Sequence, residues 1–213
     1  SGKVCFYVFG GAHLIADVNG WSAPGSGFTP VTPARVLNTR GGSRVVNSTT
    51  ELQVTGVGAI PSSGVGAVSL NVTVTTTTAG DAGGYVTVYP CGTLPDASNL
   101  NFIAGQTIPN AVITPVSASG KVCFYVFGGA HLIADINGSL LDGNGFNPTT
   151  PSRLFDTRVG IGGVPVQKVG QLDGSGAALE VSVLGRNGIP SNGVTAISMN
   201  VTVTNTTAPD TGG

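Results

Sequence analysis

Hydrophobic and polar residues alternate along much of this chain with a period of two. Residues 67–75 (AVSLNVTVT) place Val68, Leu70, Val72 and Val74 on one side and Ser69, Asn71, Thr73 and Thr75 on the other. Successive side chains of an extended strand point to opposite faces, so this pattern predicts a half-buried strand. Further strands are expected at Tyr85–Tyr89, Leu100–Ile103, Ala111–Val116, Lys121–Phe127 and His131–Asn137, separated by Gly, Pro, Asp and Asn. The run Val122–Phe127 (VCFYVF) is apolar throughout, which predicts a central strand covered on both faces. No stretch carries a helical period. Seven to nine short strands in about 110 residues predict a β-sandwich.

These patterns recur. Ser1–Asp17 (SGKVCFYVFGGAHLIAD) is repeated without a change at Ser119–Asp135. Phe28–Arg40 (FTPVTPARVLNTR) matches Phe146–Arg158 (FNPTTPSRLFDTR), and Gly56–Gly84 matches Gly185–Gly213. A period of roughly 120 residues is far too long for a solenoid rung and suits a series of independent β domains. Ser22–Ala34 and Leu140–Ser152 are rich in Gly, Pro, Ser and Thr, and both are expected to be semi-stiff linkers. The expected fold is therefore all-β, with tandem β-sandwich domains of about 120 residues joined by Pro/Gly-rich linkers. Residues 28–139 would form a complete repeat. Residues 1–21 would be the last strands of a preceding repeat, and residues 146–213 the opening strands of a following one. Neither terminal segment is expected to bury a core alone. Its strands would be completed by a longer chain or by strand exchange between subunits, giving a fibre.

Composition narrows the function. Charged residues are 9% of the chain, with Lys+Arg 9 against Asp+Glu 10 and a net charge of −1. That leaves no basic surface for phosphates or anionic lipid, which argues against a nucleic-acid partner. The most apolar stretch, Val4–Ile15, meets Asp17 well before the roughly 20 residues of a membrane-spanning helix. Low charge with abundant Thr and Gly suggests an extracellular, cell-surface setting.

Three Cys are present. Cys91 falls at the end of the Tyr85 strand candidate and Cys123 within the Lys121 strand candidate of the same repeat, and a disulfide between them is expected. Buried free thiols are the alternative. Cys5 is the repeat equivalent of Cys123 and would pair with a residue outside these 213. Cys-x-x-Cys is missing and the acids are dispersed, so no metal site or cofactor is expected. His13 and His131 precede Asp17 and Asp135 by four residues, which places each pair on one strand face. Such a pair can orient a nucleophile, yet no nucleophile elbow stands near it. A structural role is favoured: His131 bonded to a neighbouring strand, and Asp135 in ion pairs with Arg158 or Arg40 at domain edges. Trp21 and Phe28, flanking a linker, are expected to staple neighbouring domains.

The motif order RLFDTR at Arg153, LNVTVT at Leu70, GGYVTVYP at Gly83, SNLNF at Ser98, PNAV at Pro109 and HLIADING at His131 resembles a known repeated surface domain. That domain occurs in large secreted proteins of actinobacteria, cyanobacteria and filamentous green non-sulfur bacteria. The resemblance covers nearly the whole chain and implies a secreted, multi-copy β domain without a settled activity. The first repeat departs from the motif at Asn38, where the second has Asp156. The expected function is an extracellular structural or adhesive module, not an enzyme, whose partner is its own neighbouring copy. The alternative is a carbohydrate-binding module that recognises surface glycans.

Overall fold

The computed structural model describes residues 25–143, 145–164, 166 and 179–202. Regular structure among them is entirely β. The strands are β1 (Phe28–Asn38), β2 (Val45–Gln53), β3 (Val65–Thr78), β4 (Gly84–Pro90), β5 (Leu100–Phe102), β6 (Ile108–Pro115) and β7 (Lys121–Leu141). They join in one seven-stranded sheet, with β5-β4-β7-β3-β6 as its main path and β1 and β2 also paired to β7.

β7 is the spine. Its first half lies antiparallel to β2 and β4, and its second half lies antiparallel to β1 and β3. The sheet curls until it is nearly barrel-shaped. Where β5 and β6 approach each other, the Asn110 side-chain amide donates to the Asn99 carbonyl. The two layers of the expected sandwich are thus parts of one sheet, because β7 belongs to both.

Period-two patterning decides what fills the interior. Val68, Leu70, Val72 and Val74 of β3 are fully buried, as the alternation predicts. They meet Val86 and Val88 of β4 and Val122, Phe124, Val126, Leu132 and Ala134 of β7. Burying one side chain of this kind contributes roughly 1.5–3 kcal/mol.

Four expectations change. First, Lys121–Phe127 and His131–Asn137 are one strand. Gly128–Gly129 reads as a turn, but Gly128 takes φ +88 and the ladder continues through it. The Gly128 N–H donates to Asn47 Oδ1 at 2.8 Å, from a bulge in β2. Even-numbered positions face inward on both sides of this bend, so the core stripe is unbroken. Second, β7 is central but is not covered on both faces: Val122, Phe124 and Val126 point in, whereas Phe127 is 44% exposed. Third, residues 28–34 and 140–141 of the expected linkers are strand. Phe28 pairs with Leu140 and Pro30 with Gly138, and Pro is tolerated because β1 has a register break there and no partner besides β7. The Phe28 ring lies over Gly138, where an added Cβ would come within 2.6 Å of it, so Phe28 staples its own repeat. Trp21 lies outside the described residues. Fourth, residues 153–158, 179–183 and 196–202, expected as opening strands, form no strand. Within residues 28–141, β1, β2 and β3 all pair with β7.

Candidate functional site

Cys91 and Cys123 are bridged, with S–S 2.08 Å and Cα–Cα 4.9 Å. The ladder places them together: Tyr89 faces Cys123 and Pro90 faces Val122, so Cys91 emerges where β4 ends beside β7. Closing a loop with a sequence separation of 32 restricts the unfolded chain by about 3–4 kcal/mol. Cys5, His13 and Asp17 lie outside the described residues.

His131 lies beside the chain leaving β1. Its Nδ1 is 3.4 Å from Thr39 Oγ1, and that same oxygen accepts the Leu132 N–H at 2.8 Å. The hydroxyl is tied to backbone, so the pair fastens the end of β1 to β7. Asp135 is bound by Arg35, not by Arg40 or Arg158. Arg35 Nε and Nη2 donate to its two oxygens at 2.5 and 3.1 Å. The register explains this: Arg35 stands directly opposite Asp135, whereas Arg40 lies beyond the end of β1. The contact holds the Arg35 guanidinium above its ordinary pKa. An exposed pair of this kind contributes about 0–1 kcal/mol.

Arg40 and Arg158 instead serve their own turns. Asn38 Oδ1 accepts the Arg40 backbone N–H at 3.2 Å and its Nε–H at 3.0 Å. Asp156 Oδ1 accepts the same two groups of Arg158 at 2.9 and 3.0 Å. One turn is therefore built twice, with an amide in one repeat and a carboxylate in the next. Asp156 gains a second contact, since Arg158 Nη2 and Arg153 Nη1 reach Oδ2 at 2.6 and 2.9 Å. The Arg158 guanidinium, above all, holds the Asp156 carboxyl far below the usual carboxylate range.

The outer face of β4 and β7 carries an aromatic strip that the pattern of apolar residues concealed. Tyr85 stacks on Phe127 with ring centres 5.2 Å apart and tilts against Tyr125 at 6.1 Å. Burial raises the pKa of Tyr85, with Tyr125 and Asp96 adding to the effect. The strip opens on a broad cleft whose far wall is formed by residues within 146–158 and 179–202, including Pro151, Arg153 and Met199. The odd-numbered positions of VCFYVF were the available signal. Alternation there is between two kinds of apolar residue, inward aliphatic or Phe and outward Cys, Tyr and Phe.

Arg153, Asn200 and Thr202 also contact the strands and loops of residues 28–141. Asn200 Oδ1 accepts from Asn110 at 2.7 Å, and Asn200 Nδ2 donates to the Ser98 carbonyl at 3.0 Å. Asn101 Nδ2 donates to Thr202 Oγ1 at 3.1 Å. Arg153 approaches Asp96 at 3.8 Å. Spacing alone does not show these contacts, because the hydrogen-bonded partners are 90 to 102 residues apart in sequence and Arg153 is 57 from Asp96.

Among the described residues no group of three or more His, Cys, Asp or Glu is placed to hold a metal ion, and no helix is long and apolar enough to cross a membrane. No protein-family model matches the chain, and no curated protein is a significant match to it.

Proposed function

We propose that this chain is an extracellular structural or adhesive repeat module, a component of a surface fibre, sheath or long multidomain surface protein, with no catalytic role. The observation that carries the reading is which segment is repeated verbatim. Residues 119–135 make most of β7, the strand to which β1, β2, β3 and β4 all attach, and the same residues stand at 1–17. Duplicating the spine of a domain duplicates the instructions for the whole domain, so the chain encodes like bodies in series. A disulfide within the repeat suits an oxidising exterior. The near-neutral charge lets identical bodies pack without mutual repulsion. Negative-stain electron microscopy of the 213-residue protein tests the reading. Head-to-tail strings are expected; a uniform population of compact single particles at high concentration overturns it.

One observation favours a second reading, a carbohydrate-binding module. Tyr85 and Phe127 present a stacked pair beside an open cleft, and flat π faces suit the apolar side of a sugar ring. A glycan array probed with the protein and with Phe127→Ala decides it. Binding that the substitution abolishes supports glycan recognition, and an array without signal removes it.

A further inference from the structure

The contact that Asn200 and Thr202 make with the body of residues 28–141 has a counterpart inside that body. The match of Gly56–Gly84 to Gly185–Gly213 makes Asn71 the equivalent of Asn200 and Thr73 the equivalent of Thr202. Leu70 and Val72 correspond to Met199 and Val201. In β3 the first pair lies on the outer face and the second pair is fully buried. Residues 196–202 have no core to enter, and Met199 and Val201 are 50% and 65% exposed. Yet their polar partners Asn200 and Thr202 are already bonded to Ser98, Asn101 and Asn110. The stripe that a finished domain turns outward is the stripe that docks, and the stripe it needs for its core is left free. A docked repeat can therefore complete its own fold without breaking the contact.

We infer that successive repeats of this chain dock through one asymmetric surface pair: the seam between β5 and β6 (Ser98, Asn101, Asn110) receives the outer polar stripe of the next repeat's β3 (Asn71 and Thr73, or Asn200 and Thr202). The occupant of the Asn71–Thr73 stripe is thus the seam of another copy of this repeat. The chemistry suits a neutral, low-charge chain. Asn carries both donor and acceptor, so Asn200 accepts from Asn110 and donates to the Ser98 carbonyl without a charged partner. Each such bond is individually weak, so register comes from having several at fixed spacing. Because the two surfaces differ, the contact is heterologous and repeats itself head to tail instead of closing as a symmetric dimer.

The inference rests on the array reading and is tested apart from it by disulfide trapping between two full-length chains, both carrying Cys5→Ser. One chain carries Asn71→Cys. The other carries Asn110→Cys with Asn200→Ala and Thr202→Ala, which free its seam. On oxidation, the Asn71→Cys chain should cross-link to the Asn110→Cys chain about tenfold faster than to a chain with Ser62→Cys, an exposed loop position remote from the seam. Thr73→Cys paired with Asn101→Cys repeats the test at the second contact and guards against loss of fold in the first variant. Equal trapping at Ser62 in both experiments overturns the inference. Strings in electron micrographs with no preferential trapping would leave the array standing and refute this interface. Preferential trapping without strings would establish the interface and refute the array.

Discussion

Thr76 is a β-branched residue held at φ +52, where an L side chain crowds its own backbone. It sits exposed in the irregular stretch of β3 between Thr75 and Thr78, and its carbonyl accepts from Arg44 at 3.3 Å. Glycine adopts that conformation freely and keeps the carbonyl, so Thr76→Gly should stabilise the protein by about 1 kcal/mol in urea unfolding. A loss of stability would mean the side chain contributes a contact that outweighs its strain. Asp156 makes a prediction in pH. Its folded pKa is depressed by Arg158, so the stability that the turn's ion pairing contributes is fully present above the ordinary carboxylate pKa of about 4 and is lost as pH falls through the folded value, where the pair itself breaks. The Arg158 Nε–H resonance should hold its position from neutral pH to about 4 and move only at more acid pH. Arg40 is an internal control: its partner Asn38 does not titrate, so its resonance should stay in place throughout.

β7 shows how one element sets the properties of the rest. Phe124 faces the core and Phe127 the outer strip, so chemically equal truncations should separate. Phe124→Ala should cost about 3–5 kcal/mol, the range for emptying a buried ring site. Phe127→Ala should cost about 1 kcal/mol or less, the value of a partly exposed aromatic pair. Similar losses from both would show that the outer face is covered after all. The bridge from β4 to the start of β7 should matter at the same scale. Replacing Cys91 and Cys123 together by Ala should lower unfolding free energy by about 3–4 kcal/mol, with a steeper denaturant slope because the freed unfolded chain exposes more surface.

Across the whole molecule, order is uneven. Every strand among the described residues lies between Phe28 and Leu141, and the core cluster lies in that body. Asn200 and Thr202 meet it through their polar side chains, while Met199 and Val201 stay open. Residues 25–143 expressed alone should therefore unfold in one cooperative transition, at a temperature within a few degrees of the full chain. Native-state hydrogen exchange should find the slowest amides in β3 and β7, with fast exchange throughout 179–202. A broad, non-cooperative melt of the 25–143 fragment would show that the body depends on its neighbours.

Much of this was legible along the chain. The alternation of Val68, Leu70, Val72 and Val74 with Ser, Asn and Thr determined the strand, its inward face and the all-β class, because a strand's side-chain period is a local property of the backbone. The repeat made the neighbourhood of Cys91 and Cys123 readable, since one falls at the end of a strand and the other within a strand of the same copy. Tertiary structure alone decided the rest. Gly128–Gly129 has the composition of a turn, and only flanking strands on both sides, with Asn47 holding the Gly128 N–H, keep β7 continuous there. β1 and β2 lack clean alternation: Val31, Val36 and Leu37 of one and Val45 and Leu52 of the other pack on the core only in part, and both strands pair with β7 alone, so their existence depends on that partner. Asp135 chose Arg35 over Arg40 by register, a quantity set by how β1 slides against a strand about 100 residues away. The aromatic strip and the seam contact follow from the same cause. Which apolar residue faces out, and which asparagines meet across two repeats, is settled when distant strands pair, and period and composition carry no information about that pairing.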